Sequence, residues 1–175
     1  MLLIWARALG YMLLVGGLHF VGLPWSLLTL EGNTVPPLVL RSGLAVGPGA
    51  LFVLLGVGLA LLSAGHLVLH GHGTPFPLDP TRVLVRCGPY RYIRNPQAIA
   101  ATVIVIGECL LVQSQLIWLL LPATVLYLEL LAAPVEDWLL RRQFGGEYLA
   151  YRQQVPRWFP RRRANPGASR VESAR

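Results

Sequence analysis

From Gly49 to His70 the chain carries no charged residue, and an earlier run from Ala8 to Leu30, just after Arg7, is as apolar. At about 1.5 Å per helical residue, either run is long enough to cross a hydrocarbon core ~30 Å thick. The rest of the composition agrees. Of 175 residues, 54% are hydrophobic and 13% charged, and the mean hydropathy is +0.55. Soluble domains carry about 25% charged residues, so too little polar surface exists here to cover a globule in water. These features predict an all-α, polytopic membrane protein with about four transmembrane segments. Residues 1–160 form one domain, and 161–175 form a basic tail of disorder-type composition.

The net charge is +7 and every basic residue is Arg. Such a balance suggests nucleic acid, but these arginines cluster beside apolar segments. There they set topology and touch anionic headgroups, so nucleic-acid binding is not expected. Arg82, Arg86, Arg91 and Arg94 stand against Asp79, and nine arginines stand against four acids after Pro134. Both regions and the N-terminus are therefore expected on the cytosolic side, with a bacterial cytoplasmic membrane as the expected location. The 31–48 loop and the Gln113 turn would lie outside. The first apolar run is too long for a signal-peptide core and lacks a clear cleavage site, so it is read as a span. Cys87 and Cys109 are too few for a disulfide framework.

Taken in order, 31–48 reads as a Pro- and Gly-rich loop, and 49–70 as the second span. Gly56, Gly58, Ala60, Ala64 and Gly65 offer small positions for close helix approach. Gly56-Val-Gly58 is not a nucleotide loop, because no strand precedes it. His19 reads as a packed helix residue. His66, His70 and His72 include an i, i+4 pair, a spacing metal sites use. Only Asp79 is near enough in sequence to complete a ligand set, so a polar helix end is the preferred reading and no metal is expected. The prolines and glycines of 71–80 exclude a helix. Gln97–Val112 and Leu116–Ala133 form a helical hairpin about Gln113-Ser-Gln115. Glu108 and Glu129 within it should face a cavity, a partner or the headgroups. Pro134 then opens an amphipathic cytosolic helix over 135–152, with Leu139, Leu140, Phe144, Tyr148 and Tyr151 on one face.

Two polar stretches, 82–98 and 134–160, thus meet on one side of the membrane. The first brings arginines, a Gly-Pro turn and the Tyr90 and Tyr92 rings. The second brings Glu136 and Asp137. Carboxylates can hold an ammonium or ribose hydroxyls, Arg a carboxylate, and aromatic faces a sulfonium. The same residues also suit headgroup anchoring and helix capping.

The run Gly88-Pro-Tyr-Arg-Tyr-Ile-Arg-Asn-Pro96 is followed, after the hairpin, by Glu136-Asp-x-x-Leu-x-x-x-Phe-Gly145-x-x-Tyr-x-x-Tyr151-x-x-x-Val-Pro-Arg157. Together they resemble the integral-membrane methyltransferases. That superfamily includes the isoprenylcysteine carboxyl methyltransferases and the phospholipid N-methyltransferases. The resemblance covers residues 74–160 and implies S-adenosylmethionine as cofactor and a lipophilic small-molecule substrate. By position it implies that Leu84, Val85, Tyr90, Asn95, Pro96, Glu136 and Asp137 line the cofactor site. It places Arg94 at the methyl-transfer centre, with Arg91 and Glu129 available to the substrate. Asn95 stands where the family usually has His, Ala98 where a Tyr is frequent, and Asp137 where a second Glu is usual. Arg82 and Ala132 replace a His and an Arg of the prenylcysteine enzymes. These departures favour a phospholipid amine or another small lipid-like acceptor over prenylcysteine. A non-catalytic protein keeping the fold, or a transport or scaffold role, is the alternative.

Overall fold

The computed structural model describes residues 2–32, 43–76 and 79–158. Among them are three helices long and apolar enough to cross a membrane: α1 (Leu2–Leu30), α2 (Gly43–Gly71) and α4 (Gln115–Gln154). The shorter apolar helix α3 (Pro96–Val112) precedes α4. The described residues contain no strand, and the protein is an all-α polytopic membrane protein.

The densest packing is α2 against α3, and it rests on small residues. A Cβ on Gly56 would lie 2.6 Å from Ile104 Cγ1, and one on Gly107 would lie 2.7 Å from the Gly49 carbonyl oxygen. Missing side chains let the backbones approach this closely. Gly58, by contrast, faces open space, and Gly65 lies against Trp5 of α1. A core of Leu28, Val105, Cys109, Ile117 and Leu120 joins α1, α3 and α4. Elsewhere along the same helices His19 Nε2 and Thr124 Oγ1 lie 3.2 Å apart, bonding α1 to α4. The hairpin turn has the expected place. Gln113 takes the left-handed conformation (φ 54), and the Ser114 side chain caps α4 by accepting from the Ile117 N–H.

Three expectations need correction. Helix α2 begins at Gly43 rather than after a loop running to 48, and Pro48 lies inside it. Pro134 does not open a separate helix: α4 runs through it. The amphipathic segment over 135–152 is also not one straight helix, because Gly145 (φ 52, ψ −126) breaks it. That backbone conformation is open essentially to glycine alone.

The passage through Pro134 has a local cause. Proline lacks an N–H, and its ring clashes with the carbonyl four residues back. Leu128–Ala132 is a π-helical turn in which Ala133 donates to the Leu128 carbonyl. Widening the turn just before the ring relieves the clash. The same device precedes Pro24, where Leu18–Gly22 is π-helical and Leu23 donates to Leu18. Pro48 and Pro122 lie in α-helix without a π turn, so proline alone does not dictate one.

Helix ends sort onto two sides. Ser114 donates to Glu31 on one side, and Arg7 pairs with Asp79 on the other. All arginines among the described residues belong to the second side, where the two polar stretches meet. The tail at 161–175 lies outside the described residues.

Candidate active site

Asn95 joins the two polar stretches. It is the cap residue of α3: its Oδ1 accepts from the Ala98 N–H at 3.0 Å. Its Nδ2 donates to Glu136 Oε2 at 2.9 Å, forty-one residues away in sequence. An amide both donates and accepts, so one side chain starts a helix and ties it to α4.

Asp137 gathers the positive charge. Arg141 and Arg152 lie 2.8 and 3.4 Å from its Oδ2, and Arg94 lies 3.7 Å from its Oδ1. Tyr148 donates to the same Oδ1 at 2.7 Å. Asp137 and Arg94 are the shielded members, with side chains 14% and 15% exposed. Arg152 reaches Asp137 only because of Gly145. Fifteen residues of straight helix would hold them about 22 Å apart, so the chain must fold back at the glycine.

The returning segment closes the site. Tyr148, Tyr151 and Val155 form a small core with Leu84, Leu140 and Phe144. Tyr151 donates to the Tyr90 carbonyl at 2.7 Å, and the Arg94 N–H donates to the Pro156 carbonyl at 2.8 Å. Arg86 pairs with Glu147 at 2.7 Å. Burial, and after it the Glu136 carboxylate, push the Tyr90 hydroxyl well above its usual value. The hydroxyl therefore stays protonated at any physiological pH.

Arg94, Asn95, Glu136, Asp137, Tyr148 and Arg157 line a common hollow of about 20 Å³. A second, apolar cavity of about 250 Å³ lies among all four helices, with Tyr11, His19, Ala101, Gln97, Thr124 and Leu128 in its wall. The two are neighbours along the chain. Asn95 and Gln97 lie at the start of α3, and Leu128 and Glu136 lie either side of the π turn in α4.

Of the residues singled out in the sequence, Arg94, Asn95, Glu136 and Asp137 come together at the hollow. Leu84 packs under its tyrosines, and Tyr90 joins through its carbonyl. Val85 is buried against Gly71 and Pro96 is buried at the start of α3, so neither lines the hollow. Arg91 is exposed, its guanidinium 6.0 Å from the Tyr92 ring centre. Glu129 is bound to Arg157 (3.2 Å) and to the Trp158 indole N–H. Tyr148, Tyr151 and Arg157 are the site residues that periodicity missed. Tyr148 and Tyr151 read as an apolar face, and Arg157 only as the end of the motif that carries the resemblance. The Gly145-Gly146 pair was the available signal that the face turns back.

With this geometry in place, the profile of the phospholipid methyltransferase family matches residues 44–147. The chain belongs to that family. No curated protein and no solved structure matches it. The family match spans nearly all of α2, the polar loop, α3 and α4 as far as Glu147; it takes in the first polar stretch and the second only up to that residue, with Asn95, Glu136 and Asp137 inside it and Tyr148, Tyr151 and Arg157 beyond it. Methyl transfer at a membrane is the family's chemistry.

Proposed function

We propose that this family member moves a methyl group from S-adenosylmethionine to a lipophilic acceptor. The acceptor is a phospholipid amine headgroup or another small lipid-like nucleophile. The observation that carries this reading is the Asn95–Glu136 hydrogen bond, which holds the two family stretches around one charged hollow.

The hollow suits a zwitterionic cofactor by its donor set. Arg94 Nε is buried and has no hydrogen-bond partner among the described residues. An unmet donor of this kind costs about 1–3 kcal/mol, and a ligand carboxylate would satisfy it. Glu136 and Asp137 supply carboxylates for an ammonium or for ribose hydroxyls, and Tyr148 and Tyr151 supply aromatic walls. Bound there, S-adenosylmethionine would supply a methyl group already activated by its sulfonium. A volume near 20 Å³ admits about one water, so loading requires the side chains around Asp137 to part.

The chain's own task is alignment and exclusion of water. The apolar cavity suits the acceptor's hydrocarbon part, with Gln97 and the His19–Thr124 pair as its polar groups. An amine acceptor must lose a proton before it attacks. Glu129 sits next to Leu128 of the cavity wall and would take that proton. Taking it up means releasing Arg157 and Trp158. Arg91, exposed at the same end, would hold a headgroup phosphate. The arginine distribution orients this end toward the cytosol.

Two measurements test the reading. Calorimetric titration of S-adenosylmethionine into the protein in detergent should give saturable heat, and Glu136→Ala should remove it. Binding retained by Glu136→Ala would overturn the site. Methyl-labelled cofactor with a total lipid extract should then put label into the lipid phase. Binding without transfer to any lipid would favour the non-catalytic reading.

A further inference from the structure

A second cluster lies outside the methyl-transfer site, where α2 ends against the polar loop. His66 and His70 are one helical turn apart, and their ring centres are 5.6 Å apart. The loop returns Cys87 to them, and one ligand atom from each of the three lies within 4.8 Å of the others. In the sequence His72 stood beside this pair and Asp79 alone was near enough to complete a ligand set, and a polar helix end without metal was the preferred reading. Neither belongs to the cluster: Asp79 is paired with Arg7, and His72 ends the helix with φ 54.

The details of His66 resemble those of a ligand held in place. Its Nδ1 lies 2.8 Å from the Leu62 carbonyl oxygen, which accepts only if Nδ1 carries the proton. Nε2 is then the unprotonated, coordinating nitrogen. Histidine ligands are commonly fixed by a carbonyl in this way. Nε2 is also the atom turned to the Cys87–Gly88 corner. A Cβ on Gly88 would fall 2.1 Å from it, and Gly88 has φ +57. Glycine at 88 is thus demanded by both the turn and the imidazole beside it.

Two imidazoles and a thiolate, with no carboxylate, form a borderline-soft donor set that favours zinc-class ions over magnesium or calcium. In a tetrahedral zinc site, bonds of about 2.0–2.3 Å put neighbouring ligand atoms ~3.3–3.8 Å apart. His70 and Cys87 are exposed, so rotation of free side chains can supply the remaining ångström. We propose that His66, His70 and Cys87 form a three-ligand site for a zinc-class divalent cation, with a fourth position open to solvent. The ion would clamp the Gly88–Arg91 turn, and with it Tyr90, onto the end of α2. The site does not depend on the identity of the methyl donor or acceptor.

The test uses the full-length, tag-free, metal-stripped protein in detergent micelles, titrated with cobalt(II). One equivalent should give tetrahedral d–d bands and a thiolate-to-cobalt charge-transfer band, both erased by zinc. Cys87→Ser should lose the charge-transfer band. Cys87→Ser and His70→Ala should each weaken zinc binding by at least about 10-fold, since loss of even a supporting partner costs roughly 10- to 100-fold. His72→Ala should bind as the parent does. Zinc should also slow amide exchange over residues 87–91 in the parent but not in Cys87→Ser. Absence of the charge-transfer band in the parent, or its persistence in Cys87→Ser, overturns the proposal. So does equal weakening by His72→Ala. Helical circular dichroism of each variant separates a lost ligand from a lost fold.

Discussion

The two hollows beside the start of α3 differ in almost every respect. One is roomy, about 250 Å³, and walled by hydrocarbon with a few polar groups. The other is about 20 Å³ and filled by its own ion pairs. Apolar walls carry no charges to draw them together, and the close glycine contacts hold α2 against α3 at one side of the space. Charged walls attract one another, and the fold-back at Gly145 lets them meet. An apolar cavity can therefore be preformed, whereas a charged site in the same protein holds itself shut with the groups it would offer a ligand.

The sharpest way to break this contrast is Asp137→Ala. Removing one partner of a shielded ion pair leaves the other without compensation, at a cost of 3–5 kcal/mol. Arg141 and Arg152 are 46% and 38% exposed and can turn to water, which leaves Arg94 as the stranded cation. A loss near the lower end, about 3 kcal/mol, should appear as a lower thermal midpoint in detergent, and cofactor heat should vanish with it. A neutral result would mean that the ion pairs do not hold the hollow closed.

Filling the roomier cavity should do the opposite. Ala101→Trp is expected to raise KM for the lipid acceptor at least about tenfold, or ~1.4 kcal/mol, while titration of the cofactor is unchanged. If both constants move together, the two hollows are not separate sites. Asn95→Ala removes the cap of α3, worth about 1 kcal/mol, together with the bond to Glu136. Chemical or thermal unfolding should register that loss, and Asn95→Asp should restore the cap but weaken cofactor binding by setting a second carboxylate against Glu136. The smallest effect belongs to Thr124→Val. Loss of one hydrogen bond to His19 should cost roughly 0.5–1.5 kcal/mol without changing cofactor affinity.

How much of this was legible in the sequence depended on the range of the cause. The apolar runs and the Gln113 turn are local, and they fell close to where they were read. So did the meeting of Asn95 with Glu136, because two motifs in fixed order implied it. The start of α2 was missed because Pro48 and its glycines resemble a loop, yet the helix carries them. Pro134 was misread because its ring is relieved by a π turn in the residues before it. Tyr148, Tyr151 and Arg157 enter the site only through a reversal at one glycine, and Cys87 reaches His66 only through the path of the loop. Neither path leaves a periodic trace.

The π turn at Leu128–Ala132 also sets an angular phase. Each helical residue advances the side chains by about 100°, and a π turn holds one residue more than an α turn. Counted from Thr124 in the apolar cavity, the wider turn absorbs that additional residue, so Glu136 keeps the face it would have in an α-helix one residue shorter. Deleting Leu130 or Leu131 would let the turn close to α-helix with Glu136 still toward Asn95. It would also set the Pro134 ring against the carbonyl four residues before it. The direction shared by cavity and carboxylate thus survives the extra residue only because the turn widens to hold it.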